Sequence, residues 1–383
     1  MPVLDLTAHG FSTRSPDVLA AREAHWCART PYGLAVLRHA QTGRLLRDRR
    51  LRQGSHAWPG LQGLRGPFVD FWQRSVIGQE GPRHKALRHL AVPALAAEHI
   101  EALVPSFDET AAELCGTLGK DTEFMEAFAM PFAGRAITAL LGMEAAAWPE
   151  IAANAVSLGL AMGVDAAAHA EEINTAYLAL EALAEARLDR ARQGRDAKAY
   201  PARLVARADG LDEQALRDLV VITIFGGVDT TRAQLGLAMA LFAQHPEQWS
   251  LLRTRPELVP AAVEEAIRMR PTTTWVTREA LESFTFEGVA IRQGEILHML
   301  VHASARDPAI CAGGFDIAAR RRAHFGFGGG AHHCLGQGMA RADIASALRA
   351  LSARFASVEP TGEPLWLPES GNTGPVRLPL SFA

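Results

Sequence analysis

The chain has 383 residues, 48% of them hydrophobic and 21% charged, with a formal net charge of −3. That length accommodates one large domain or two ordinary ones with a full core, and the net charge argues against nucleic acid as a default partner, which would need a basic face. Four cysteines (Cys27, Cys115, Cys311, Cys334) lie without a pairing pattern, as expected in a reducing cytoplasm. The segment after Met1 lacks a basic and apolar leader, and no apolar run reaches about 18 residues, so no secretory signal and no membrane span are expected.

Along the chain, residues 32–39 alternate weakly and read as an early strand, followed by a helix near 41–51. Residues 54–78 are rich in Gly, Pro and Trp without helical period and read as an irregular loop. Helical spacing then runs through 82–95, 123–143, 166–193 and 212–244, and through 259–269, which stops ahead of Pro271. Strands are expected at 275–279, 284–286 and 289–299, with Gln293-Gly294 as a turn, and hairpins in the tail from 364 to 382. Neither an internal repeat nor a linker divides residues 1–383. They are expected to form a single domain, mainly α with small β-sheets (α+β).

The most informative stretch is residues 327–336, Phe-Gly-Gly-Gly-Ala-His-His-Cys-Leu-Gly. Its glycines let the backbone turn tightly and approach a flat ligand. Phe327 offers an aromatic wall, His332 a donor two residues before Cys334, and a helix opens at Gly336. A cysteine at a helix N-terminus is suited to bind iron as a thiolate. Three plainer readings compete: a small core cysteine, a zinc site with His324, His332 and His333, and a phosphate loop. The spacing fits neither zinc nor phosphate.

The helix over 212–244 would be about 50 Å long at 1.5 Å per residue. At its middle stands Gly226-Gly227-Val228-Asp229-Thr230-Thr231. One reading is close helix packing with Asp229–Arg232 as a surface ion pair. The other is room for a flat cofactor and O₂ beside Gly226, with Thr230 as an alcohol and Asp229 as an acid that deliver protons. Elsewhere, Glu265 and Arg268 stand three apart, and His84 and Arg88 four apart, each pair on one helical face.

These segments together resemble the cytochromes P450, of the soluble bacterial class. The match lies in Phe327, Gly328, Gly330, His332, Cys334 and Gly336, in Gly226 to Thr230, in Glu265 with Arg268, in Phe315-Asp316-x-x-x-Arg320, in His84-x-x-x-Arg88 and in Arg278. It spans roughly residues 80–380. The resemblance implies the P450 fold with a long central I helix, and haem b (iron protoporphyrin IX) with Cys334 as its axial iron ligand. It also implies Thr230 and Asp229 as the distal alcohol–acid pair, and His84, Arg88, Arg278 and His332 as cations for the haem propionates. Glu265, Arg268 and Arg320 would form a buried triad clamping the loop before Cys334.

The implied activity is monooxygenation, hydroxylation above all, of an apolar or amphiphilic small molecule. Trp58, Phe68, Phe71, Trp72 and Trp275, with the helix pair between about 145 and 190, would border the pocket. Electrons would come from a separate ferredoxin and an NAD(P)H-dependent ferredoxin reductase, with Arg320-Arg321-Arg322 contributing to a basic docking face. The rival functions are an H₂O₂-driven peroxygenase and a non-catalytic haem-based sensor. Neither a membrane nor nucleic acid is an expected partner, and the expected location is cytoplasmic.

Overall fold

The computed structural model describes the chain apart from residues 9, 164, 209, 211, 312, 321, 322 and 370. The helices that position the site are α1 (Pro67–Arg74), α2 (Gly81–Ala94), α3 (Val104–Thr117), α4 (Met130–Leu140), α5 (Trp148–Gly159), α6 (Ala170–Arg192), α7 (Glu213–Gln244), α8 (Val259–Met269) and α9 (Gln337–Arg354). The 32-residue α7 is the axis of the packing, touching α4, α5, α6, α8 and α9. Asp212 caps its start by accepting from the Ala215 N–H at 2.7 Å, and Pro246 follows its end. Nearly every side of α7 is buried, but Thr223, Gly226, Gly227 and Thr230 keep accessible surface. Their spacing of i, i+3, i+4 and i+7 is one stripe, so a single face of this core helix looks into an internal space.

The main sheet contains β1 (Cys27–Thr30), β2 (Gly33–Val36), β3 (Leu51–Gln53), β4 (Trp275–Ala280) and β5 (Ile296–Leu300), in the order β1-β2-β5-β4-β3. Only β2 and β5 pair in parallel. Gly33 is needed there, since a Cβ on it would stand 1.9 Å from the Ile296 carbonyl oxygen. The mainly α architecture with small sheets is as expected, and among the described residues no single helix is long and apolar enough to cross a membrane.

Three expected elements differ. Residues 54–78 hold two short helices, Trp58–Leu61 and α1. In α1 the spacing of Phe68, Phe71 and Trp72 buries one apolar face, a signal that the surrounding Gly and Pro obscured. The expected helix over 123–143 is broken. Asp121–Glu123 is a strand, and Met125–Ala129 forms a wide π turn ahead of α4, where Pro131 has no N–H for the regular ladder. In the tail, Leu365–Trp366 does form a hairpin with Pro375–Arg377, but Pro379–Phe382 pairs instead with Asp121–Glu123 and Val358–Pro360.

The expected triad is corrected at one member. Glu265 and Arg268 form a fully buried ion pair, with Nε–Oε2 at 2.6 Å and Nη2–Oε1 at 2.7 Å. Arg268 also donates to the carbonyls of Ala305 and Gly314, and Glu265 accepts the Asp316 N–H at 3.0 Å. Arg320, however, is exposed. Phe315 and Ile317 anchor the segment inward, and a turn from Asp316 to Ala319 then carries the chain outward. Glu265→Ala should cost about 3–5 kcal/mol by leaving the Arg268 charge buried. Arg320→Ala should stay within about 0.5 kcal/mol of the parent, both read by denaturant unfolding.

Burial pushes the pKa of His298 down to about 4 and, with Arg306 nearby, that of His302 down to about 3. Both are neutral in the fold and become charged in the unfolded chain below about pH 6.5. The unfolded state therefore binds more protons in that window, and stability is lost as pH falls from about 6.5 toward 4 and 3. Denaturant midpoints should drop across this range, and His302→Gln should flatten the drop.

Candidate functional site

The loop before α9 is shaped around its cysteine. Gly328 and Gly330 take φ of 68° and 70°, and a Cβ on Gly330 would lie 2.0 Å from the Leu46 carbonyl oxygen. Only glycine meets both demands. The Phe327 carbonyl accepts the Cys334 N–H at 3.0 Å and closes the loop. Burial, the largest influence, raises the Cys334 pKa, and the Gly336 and Gln337 N–H groups with Arg88 and Arg341 oppose it. These N–H groups at the start of α9 favour the thiolate. Although protein surrounds it, Cys334 retains accessible surface, so it borders an internal space. The Phe327 ring carries the Arg341 guanidinium 4.4 Å above its centre.

On α7, the two glycines differ. A Cβ on Gly226 would meet no atom within 4 Å, whereas one on Gly227 would be 2.3 Å from Ile137 Cδ1. Gly227 permits helix packing; Gly226 leaves open space. Thr230 faces that space, its hydroxyl donating to the Gly226 carbonyl one turn earlier. Asp229 turns elsewhere. Its Oδ1 accepts from Arg232 Nη2 at 3.0 Å, and this pair is buried, not on the surface.

The four expected cations split into neighbours and partners. His84 and His332 stack with ring centroids 4.1 Å apart. Burial, followed by the charge of His332, pushes His84 down to about 4, and its Nε2 is buried without a hydrogen-bond partner among the described residues. Arg88 on α2 lies in the field of Cys334, half-buried and without a hydrogen-bond partner among the described residues. Arg278 is 3% exposed and donates to Gln53 Oε1 at 3.0 Å and to the Gly329 carbonyl at 3.1 Å. Burial lowers its pKa to about 10.

Two participants were not anticipated. Arg341 was unsignalled by any motif, and Glu80 was hidden because Gln79-Glu80-Gly81-Pro82 reads only as a helix lead-in. Glu80 accepts from His332 at 2.8 Å and from the Gln53 N–H at 2.6 Å. Burial works against its charge, but these bonds hold its pKa at about 2. One carboxylate thus faces cations that call for more anions. An orphaned buried imidazole, an unpartnered guanidinium, a thiol bordering open space and a gap at Gly226 suit a flat dianionic group with a thiolate-binding metal. Haem meets all four demands.

The expected pocket wall is corrected in part. Phe68 and Phe71 have no accessible surface and pack on Tyr177, so they belong to the core, while Trp58, Trp72 and Trp275 keep some. Of the basic run, Arg320 is exposed, and Arg321 and Arg322 lie outside the described residues.

The family model described as Cytochrome P450 matches residues 248–379, which include Glu265, Arg268, Arg278 and Cys334. The luteothin monooxygenase of Streptomyces thioluteus is 37% identical, with all of this chain and 96% of that one covered. The mycinamicin IV hydroxylase/epoxidase of Micromonospora griseorubida is 30% identical, covering 92% and 91%. The crystal structure of CalO2 superposes with a TM-score of 0.87 at 26% identity, covering 98% and 99%.

The contrast between adjacent glycines makes a test of the open space. Gly226→Ala should stabilise the haem-free chain by about 0.5–1 kcal/mol, because helix propensity improves and nothing is displaced. Gly227→Ala should destabilise it by about 1–3 kcal/mol, because the buried Ile137 must move. Equal effects in a denaturant titration would contradict a void beside Gly226.

Proposed function

The chain belongs to the cytochrome P450 family, and from that premise we infer which residues run its reaction and on what. It is a monooxygenase with haem b as cofactor, and such enzymes take O₂, electrons from redox partners and a small-molecule substrate. The proposal is that Cys334 would hold the haem iron through its thiolate, with His84, Arg88, Arg278 and His332 holding the propionates. Phe327, Gly328 and Gly226 would border the macrocycle. When bound, haem b supplies the activation of O₂, and thiolate donation favours O–O cleavage. Residues 1–383 would act as one domain, supported by a main core cluster that gathers residues from Leu64 to Phe382.

Within this reading the chain's own groups do the positioning and the proton work. The Gly336 and Gln337 N–H groups steady the charge on the Cys334 sulfur. Thr230 presents its hydroxyl oxygen to the internal space and hands on protons; Asp229 replenishes them. Insertion of one oxygen atom into a C–H bond consumes two electrons and two protons and releases the other oxygen as water. We place the electron source in a ferredoxin with its NAD(P)H-dependent reductase, and the enzyme in the cytoplasm. The substrate is proposed to be an apolar molecule related to luteothin, after the relative that aligns with the whole chain. Hydroxylation is the proposed outcome.

The observation that carries the reading is Cys334: a cysteine wrapped by a glycine loop, facing internal space, with Arg88 and the orphaned His84 Nε2 lacking hydrogen-bond partners among the described residues. Reduced protein exposed to CO should show the red-shifted Soret band of haem-thiolate, and Cys334→Ala should lose it. A band at the histidine position would remove the ligand assignment. Thr230→Ala should keep that band while diverting electrons from product to H₂O₂; full coupling would remove the proton-delivery role. Turnover with H₂O₂ alone matching turnover with ferredoxin and reductase would favour the peroxygenase.

A further inference from the structure

Asp229 and Arg232 stand three residues apart on one face of α7; at about 100° per residue Asp229 lies just over a quarter-turn from Thr230, and Arg232 lies nearly opposite it. Their side chains are 13% and 8% exposed. The Asp229 carboxylate lies under the backbone of Gly159 at the end of α5, where an added Cβ would be 3.3 Å from Oδ2 and 3.7 Å from Oδ1. Arg232 takes Oδ1, so Oδ2 is the oxygen left for any other exchange.

Arg232 differs in kind from the scaffold arginine of this chain. Arg268 engages both oxygens of Glu265 and the carbonyls of Ala305 and Gly314. Among the described residues Arg232 makes a single hydrogen bond, that to Asp229, and its Nε is buried with no partner. A buried guanidinium so poorly satisfied is costly as a structural element. A single bond to one carboxylate oxygen orients that carboxylate and does little else.

We propose that Arg232 is a positioning residue for proton delivery: it fixes the Asp229 carboxylate by Oδ1 so that Oδ2, beneath the side-chain-free surface of Gly159, is the oxygen that passes protons toward Thr230. This rests on the reading of Asp229 as the acid of the pair. Without Arg232 the carboxylate rotates freely in its slot, and the relay loses its orientation even though the acid remains.

The test compares Arg232→Gln, Asp229→Asn and the double variant with the parent. The first readout is unfolding of the haem-free chain. The double-mutant cycle should show the two sites coupled by about fivefold or more in the unfolding constant; coupling below about twofold overturns the proposal. The second readout, on loaded enzyme with ferredoxin and reductase, is product formed per NAD(P)H and the solvent deuterium isotope effect. Arg232→Gln should lower product per NAD(P)H about tenfold and raise the isotope effect, with the CO-bound spectrum unchanged, and Arg232→Lys should restore part of the coupling. An Arg232→Gln enzyme as coupled as the parent, beside an uncoupled Asp229→Asn, overturns the proposal and leaves Asp229 as the acid. A fully coupled Asp229→Asn overturns both. If Arg232→Gln fails to fold, Arg232→Lys carries the comparison: parent-like coupling and isotope effect with the ammonium would show that orientation by the guanidinium is not required.

Discussion

A buried helix that must leave a gap along one face constrains everything else in this protein. Side chains in a core are close-packed, and an unfilled volume forfeits dispersion contacts. α7 nevertheless keeps Gly226 with nothing within 4 Å of where its Cβ would be, while its other faces are sealed by α4, α5, α6, α8 and α9. The packing around it is therefore organised to support a void: Gly227 is drawn against Ile137, while Phe225 and Val228 beside it belong to the buried core. The neighbouring elements then supply what the void's occupant needs.

Charge follows the same logic. Arg278 at 3% exposure and His84 with an orphaned nitrogen are expensive in isolation. An anionic group completing the site would offset that cost, and Glu80 supplies a single carboxylate among them. Arg268, by contrast, is satisfied by the protein itself. The difference separates cations that wait for a ligand from those that hold the fold. Arg232 belongs to neither set, since one carboxylate is its sole hydrogen-bond partner among the described residues.

Much of this was legible in the residues alone, for identifiable reasons. The glycine loop at Cys334 and the Gly226–Thr230 stretch depend on backbone geometry and spacing, which sequence displays directly. α8 was located to the residue, because Pro271 restricts what precedes it. What stayed hidden depended on tertiary partners. α1 was disguised by flanking glycines and prolines, and the break ahead of α4 arises from pairing between Asp121–Glu123 and the last strand. Arg320 matched a motif but turns outward because Phe315 and Ile317 take the inward positions. The buried state of Asp229–Arg232 was invisible because its cover is tertiary, including Gly159 at the end of α5.

The stacked imidazoles of His84 and His332 and the carboxylate of Glu80 come from opposite ends of the chain; His332 and its partner Glu80 are 252 residues apart. During synthesis at roughly 5–20 residues per second, about 13–50 s separate the emergence of the two halves of that contact. The closing strand Pro379–Phe382, which pins Asp121–Glu123, appears later still. The cofactor's cradle cannot exist on the ribosome until translation is almost finished. Until then the void along α7 lacks both His332 and its thiol, so the cell has to keep a long, apolar helix from finding other company before haem can be loaded.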